Sequence, residues 1–128
     1  MSYRFLTGPA LVLVAGLYMN SAYGHHGWSW ADTEQIQLNG VVKAVQMAPP
    51  HPRLDVETAN DGVWRVELAN PSQTRKAGFV EGSAKVGDRV SATGNRSKDH
   101  TEKRMKAVQV TVGDKTYDLY PERIEKAR

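Results

Sequence analysis

Four histidines, His25, His26, His51 and His100, are the side chains of this 128-residue chain best equipped for metal or acid–base chemistry, because it contains no cysteine. Thiol catalysis, Fe–S clusters and thiolate metal sites are thereby excluded. His25 and His26 are adjacent in the stretch SAYGHHGWSW, with Trp28 and Trp30 close behind. If His25 opens the mature protein, its α-amino group (pKa about 8) and its imidazole lie on one residue. Together they can chelate a divalent metal in a stable ring, and one more imidazole gives three nitrogen donors. Planar or T-shaped nitrogen sets of this kind suit Cu(II), which tops the divalent affinity series; zinc and other divalent metals suit them less. The same logic underlies the histidine brace of some exported copper proteins.

His51 is the best candidate for that further imidazole, because Pro49-Pro50-His51-Pro52 holds it in a stiff loop. His26 is the rival, since an amine, a backbone amide and a nearby imidazole bind Cu(II) without any fold. Met47, four residues before His51, can offer a soft ligand to Cu(I), although a methionine at a strand end is ordinarily core. The structural alternative is that the paired histidines are a solvated start and that His51 braces its turn. His100, in KDHTEK, reads as a loop residue.

No other constellation carries chemistry. The chain has no Gly-x-Ser-x-Gly elbow, no His-Glu-x-x-His, no phosphate loop and no dinucleotide fingerprint. Asp55 and Glu57 alternate with Leu54 and Val56 and so fall on a solvent face. Glu67, in WRVEL, has the stronger case: it can pin the lead-in or support a histidine. NRSKDHTEKRMK is the densest basic stretch, with Arg96, Lys98, Lys103, Arg104 and Lys106, diluted by Asp99 and Glu102. It reads as a solvated loop able to touch an anionic surface.

The elements that must position these groups begin after a signal. Arg4 precedes an apolar run from Ala10 to Met19, which is too short to span a bilayer. A positive start, a short apolar core and a small-residue cleavage site describe a secretory signal peptide, 1–24, cut after Gly24; a cut after Ala22 is the alternative. The formal charge of +3 falls by one with Arg4, so the mature chain is only mildly basic. An exported domain without disulfides must rely on a genuine core.

Ile36 and Leu38 open a long first strand, continued by Val41, Val42 and Val45, with a bulge or sharp bend at Gly40. Proline stops it at PPHP. RLDVET and VWRVELA form a hairpin around the turn signal NDG, with Trp64, Val66 and Leu68 on one face. Asn70, Pro71 and Gly78 frame a short helix over about 71–77. A strand through Val90 and Ala92 follows, then one with Val108, Val110 and Val112 alternating, then TYDLY. Three antiparallel strands, a helix and two or three more strands predict an all-β chain with one short helix: a small OB-like antiparallel barrel of five to six strands over 25–120. A small sandwich is the alternative. An extended lead-in puts Trp28 and Trp30 on one face, where they cover an end of the barrel. The tail, 121–128, is charged and helical or frayed.

Three pieces together resemble the DUF6152 family of small exported bacterial proteins: GHHGWSW, LNGVVKAVQMAPPHPRLDVET, and WRVELANPSQTRKAGF followed by KVGDRVSATGNRSKD. The resemblance covers about His25 to Tyr120. It matches His25 and His26 to a paired histidine, His51 to the histidine of Asn-Pro-His, and Trp64 with Glu67 to a Trp-x-x-Glu strand. The chain departs from the pattern with Pro49 in place of the asparagine and Pro52 after the histidine. The resemblance implies an exported compact β domain and supplies no activity. Two functions are expected: a periplasmic or secreted non-catalytic module binding copper or a similar metal through His25, His26 and His51, or an adaptor for an envelope protein or anionic glycan through the basic stretch. Neither a nucleic-acid partner nor a transmembrane segment in the mature protein is expected.

Overall fold

The computed structural model describes residues 27–125. His25, His26 and the expected signal segment therefore lie outside the described residues. The elements run β1 (Ala31–Gln46), β2 (Arg53–Glu57), β3 (Val63–Glu67), α1 (Pro71–Lys76), β4 (Arg89–Ser97), β5 (Arg104–Val112) and β6 (Lys115–Asp118), followed by a 3-10 turn, Pro121–Arg123. The sheet order is β3-β2-β1-β4-β5-β6, and a further β3–β5 pairing closes it. That closing contact is parallel, Arg65 to Arg104 through Glu67 to Lys106, and the other pairings are antiparallel. Closure through β3–β5 pairs the two ends of the five-stranded ring and leaves β6 paired on one side. The result is the expected OB-like barrel, with its helix between the third and fourth strands and β6 appended as a hairpin partner of β5.

β1 serves two neighbours. Ala31–Val41 pairs with β4 and Val41–Gln46 with β2. Gly40 stands where the partners change over. A Cβ there would lie 2.2 Å from the Glu57 carbonyl oxygen, so only glycine permits the approach. The bulge itself falls between Val42 and Ala44, beyond the glycine that suggested it. At the β2–β3 turn Gly62 adopts a φ of 71°, which is why the NDG signal ends in glycine.

Leu38, Val42, Leu54, Val56, Trp64, Val66, Leu68, Phe79, Met105 and Val110 are among the residues forming one buried cluster. α1 starts as expected: the Asn70 side chain accepts from the Gln73 amide at 2.8 Å, the usual N-cap bond. β5 does not alternate simply. Its pairing with β4 shifts register between Gln109 and Ala107, leaving Val108 as the extra residue. Met105 and Ala107 before it and Val110 after it thus join the same core. That bulge sets Arg104 and Lys106 on the outer side of β5.

The basic stretch is shorter as a loop than its sequence suggests. Asn95, Arg96 and Ser97 belong to β4, and Arg104 and Lys106 to β5. Lys106 is only 2% exposed and Arg104 is half-buried, so neither is a solvated loop cation. The lead-in also differs: residues 27–30 turn rather than extend, with the Ala31 amide donating to the Trp28 carbonyl at 3.0 Å. The turn brings both tryptophans over the outer side of β5.

Candidate functional site

Where β3 meets β5, a cleft of about 710 Å³ opens on the outside of the barrel. Its lining comes from distant parts of the chain: Gly27, Trp28 and Trp30 of the lead-in, Pro50 and His51 of the β1–β2 loop, Glu67 and Asn70 around the end of β3, Arg104 and Lys106 of β5, and Tyr120. Parallel pairing places Glu67 beside Lys106, and the stiff proline loop delivers His51 to the same place.

Glu67 is 8% exposed and accepts from the Arg104 Nε, with which it forms an ion pair. The Arg104 guanidinium carbon in turn lies 3.6 Å from the centroid of the Trp30 ring. Glu67 therefore does pin the lead-in, acting through Arg104. A second cation–aromatic group lies beside it. Trp28 packs edge-on to Tyr120 with centroids 4.9 Å apart, Arg123 covers Trp28 at 3.8 Å, and the Lys106 ammonium lies 5.2 Å from the Trp28 centroid and 5.6 Å from that of Tyr120. Such contacts contribute about 0.5–2 kcal/mol each, most when shielded from water. They bind both ends of the described chain to the barrel, helped by the Gln35 side chain, which donates to the Arg123 carbonyl at 2.6 Å.

The electrostatics follow from burial. His51 is held below the usual histidine pKa, first by burial and next by the Lys106 charge, against the pull of Glu67. The shift favours the neutral imidazole, the form that ligates metals. Its Nδ1 is buried without a hydrogen-bond partner. Lys106 is held below the ordinary lysine pKa by burial, with Glu67 opposing and Arg104 and Arg123 adding to the shift. Burial also raises the Tyr120 pKa.

The structure brings His51 and Glu67 together with Gly27, the residue next to His26. Met47 packs against the core. Glu57 lies outside the cleft, exposed and 3.7 Å from Lys43. His100 is remote, 3.4 Å from Asp32. Among the described residues no three His, Asp or Glu side chains gather as a metal site, and no helix is long and apolar enough to cross a membrane. Sequence reasoning missed Lys106 and Arg104 as cleft residues. The alternation in RMKA puts them opposite Met105 and Ala107, but the cover over that face comes from residues 27–30 and Tyr120, far away in sequence.

A closed, OB-like β-barrel with a cleft between β3, β5 and the lead-in defines the class of protein. The chain belongs to DUF6152, a family of unknown function, whose profile matches residues 12–119. Among curated proteins none matches. Among solved structures, the S. pombe Stn1-Ten1 complex is similar at 20% identity and a TM-score of 0.50, over 63% of this chain and 59% of that one. A chain of a complex of TiaS with a transfer RNA and ATP is similar at 16% identity and a TM-score of 0.50, over 63% of this chain and 18% of that one. This chain thus spans less than two thirds of either, and the likeness is one of fold.

Proposed function

We propose that the protein is an exported, non-catalytic module that binds copper at this cleft, through the amine and imidazole of a mature N-terminal His25 and the imidazole of His51, with His26 as the alternative donor. One observation carries the reading: Gly27 lines the same cleft as His51, whose Nδ1 is buried and unpartnered. Two residues of chain reach about 7 Å, so covalent geometry allows His25 to arrive there from Gly27. The three segments that carry the family-like histidines and Glu67 then converge on one place.

The donor set is neutral nitrogen, which copper tolerates best among the divalent metals. Glu67 is committed to Arg104 and serves as a positioning group, offsetting the cations that would otherwise repel a metal. The adaptor reading loses support because Arg104 and Lys106, two of the five cations in the basic stretch, are drawn into the cleft.

The test is a copper titration by calorimetry on protein recovered after native export, with its N-terminus sequenced. A chain beginning at His25 and at least a tenfold weaker affinity in His51→Ala are expected. A chain beginning elsewhere removes the amine ligand. Unchanged affinity in His51→Ala overturns the shared site and leaves only a local chelate at the N-terminus.

A further inference from the structure

Lys106 is a cation held in an aromatic setting. It stands on the outer face of β5, 2% exposed, under Trp28 and Tyr120. Among the described residues it forms no salt bridge, and its neighbour Glu67 is taken by Arg104. Aromatic faces attract the ammonium but accept none of its three N–H bonds in the ordinary sense. A lysine this buried, its charge only partly offset by Glu67, is costly and uncommon in native proteins.

Among the described lining residues, Lys106 and Arg104 against Glu67 leave one positive charge in surplus when His51 is neutral. The volume, about 710 Å³, falls in the range of small-molecule sites, about 300–1,000 Å³. Trp28, Trp30, Tyr120 and Pro50 supply apolar wall. The ammonium faces this space from the side of Gly27, where a Cβ would stand 3.8 Å from Nζ.

We infer that the cleft binds a small organic monocarboxylate, with its carboxylate on the Lys106 ammonium and its apolar body against Trp28 and Tyr120. The site shares the cleft with the copper reading but rests on Lys106, Trp28 and Tyr120 rather than on the histidines, and it requires no metal.

The experiment uses the processed protein freed of metal with a chelator. Benzoate and the isosteric neutral benzamide are titrated while tryptophan fluorescence is followed. Saturable binding of benzoate is expected, with benzamide at least tenfold weaker. Lys106→Met loses benzoate affinity at least tenfold, Lys106→Arg keeps most of it, and the melting temperature of Lys106→Met rises because a buried charge is gone. Equal affinity for benzoate and benzamide, no saturable benzoate binding, or unchanged affinity in Lys106→Met overturns the proposal. So does displacement of benzoate by equimolar chloride, which marks a simple inorganic-anion site. The benzoate–benzamide comparison needs no variant and decides the question even if Lys106→Met fails to fold.

Discussion

Replacing Glu67 with glutamine probes the ion pair that holds Arg104 against Trp30 of the lead-in. The substitution keeps the shape and removes the charge that holds Arg104 over Trp30. Hydrogen bonds to charged groups contribute about 1.5–3 kcal/mol. The Glu67 side chain is 11% exposed, whereas that of Arg104 is 30% exposed and can partly rehydrate, so the lower part of that range applies, about 2 kcal/mol. For a domain of this size each kcal/mol moves the melting temperature by about 4–8 °C, so Glu67→Gln melts about 8–16 °C lower by circular dichroism. A double-mutant cycle with Arg104→Met isolates the pair: the double variant loses less than the sum of the singles, by about 1 kcal/mol or more. The charge change has two opposite effects on ligands. With the cleft one unit more positive, benzoate binds about threefold tighter and copper about threefold weaker, as expected for about 0.6 kcal/mol across a half-open site. A melting temperature within about 2 °C of the parent, or strict additivity in the cycle, refutes the assignment of Glu67 as the pin. Ligand shifts of the same sign refute the charge reasoning.

Gly40→Ala places a methyl group 2.2 Å from the Glu57 carbonyl oxygen; overpacking costs about 1–3 kcal/mol or more, and chemical denaturation is expected to show an earlier midpoint with an unchanged slope. His51 gives the fold a pH dependence whose sign is fixed. Its folded pKa lies below the unfolded 6.5, so the unfolded chain binds the proton more readily. The contribution of His51 is complete above about pH 6.5 and is lost as pH falls below it toward the folded value. Thermal melts of the parent and His51→Gln between pH 7.5 and about 5 are expected to diverge, with the parent falling faster.

The barrel was legible because its signals are local. Trp64, Val66 and Leu68 alternate across a strand, Asn70 and Pro71 announce a helix, and Gly62 closes a turn that requires a positive φ. The order of these elements, three strands before the helix and more after it, is enough to suggest the barrel. Two things were not legible. The bulge at Val108 leaves no mark in MKAVQVTV, because a bulge is set by the partner strand: a Cβ at Gly94 would lie 2.2 Å from the Lys106 carbonyl oxygen, so β4 and β5 approach there as closely as their backbones allow. The burial of Lys106 was hidden as well. The alternation of Val108, Val110 and Val112 would carry Lys106 to the inner face, the bulge reverses that, and nothing nearby in sequence says that residues 27–30 and Tyr120 will cover the outer face.

The site is thus harder to read than the fold for a physical reason. The core is made by residues whose neighbours repeat every second position, whereas the cleft is made by five segments that meet only because β3 and β5 pair in parallel. Its cations carry the point furthest. In sequence Arg104, Lys106 and Arg123 look like solubilising charges on a loop and a tail. In the barrel Arg104 and Arg123 each cap a tryptophan, and Lys106 lies beneath Trp28 and Tyr120. A lead-in held by tryptophan–cation contacts, and by the Lys98 amide donating to the Trp30 carbonyl at 2.8 Å, sets residues 27–30 over the cleft while leaving its floor polar. That arrangement puts Gly27 at the rim of the cleft and leaves Lys106 lining a ligand-sized space beneath Trp28 and Tyr120.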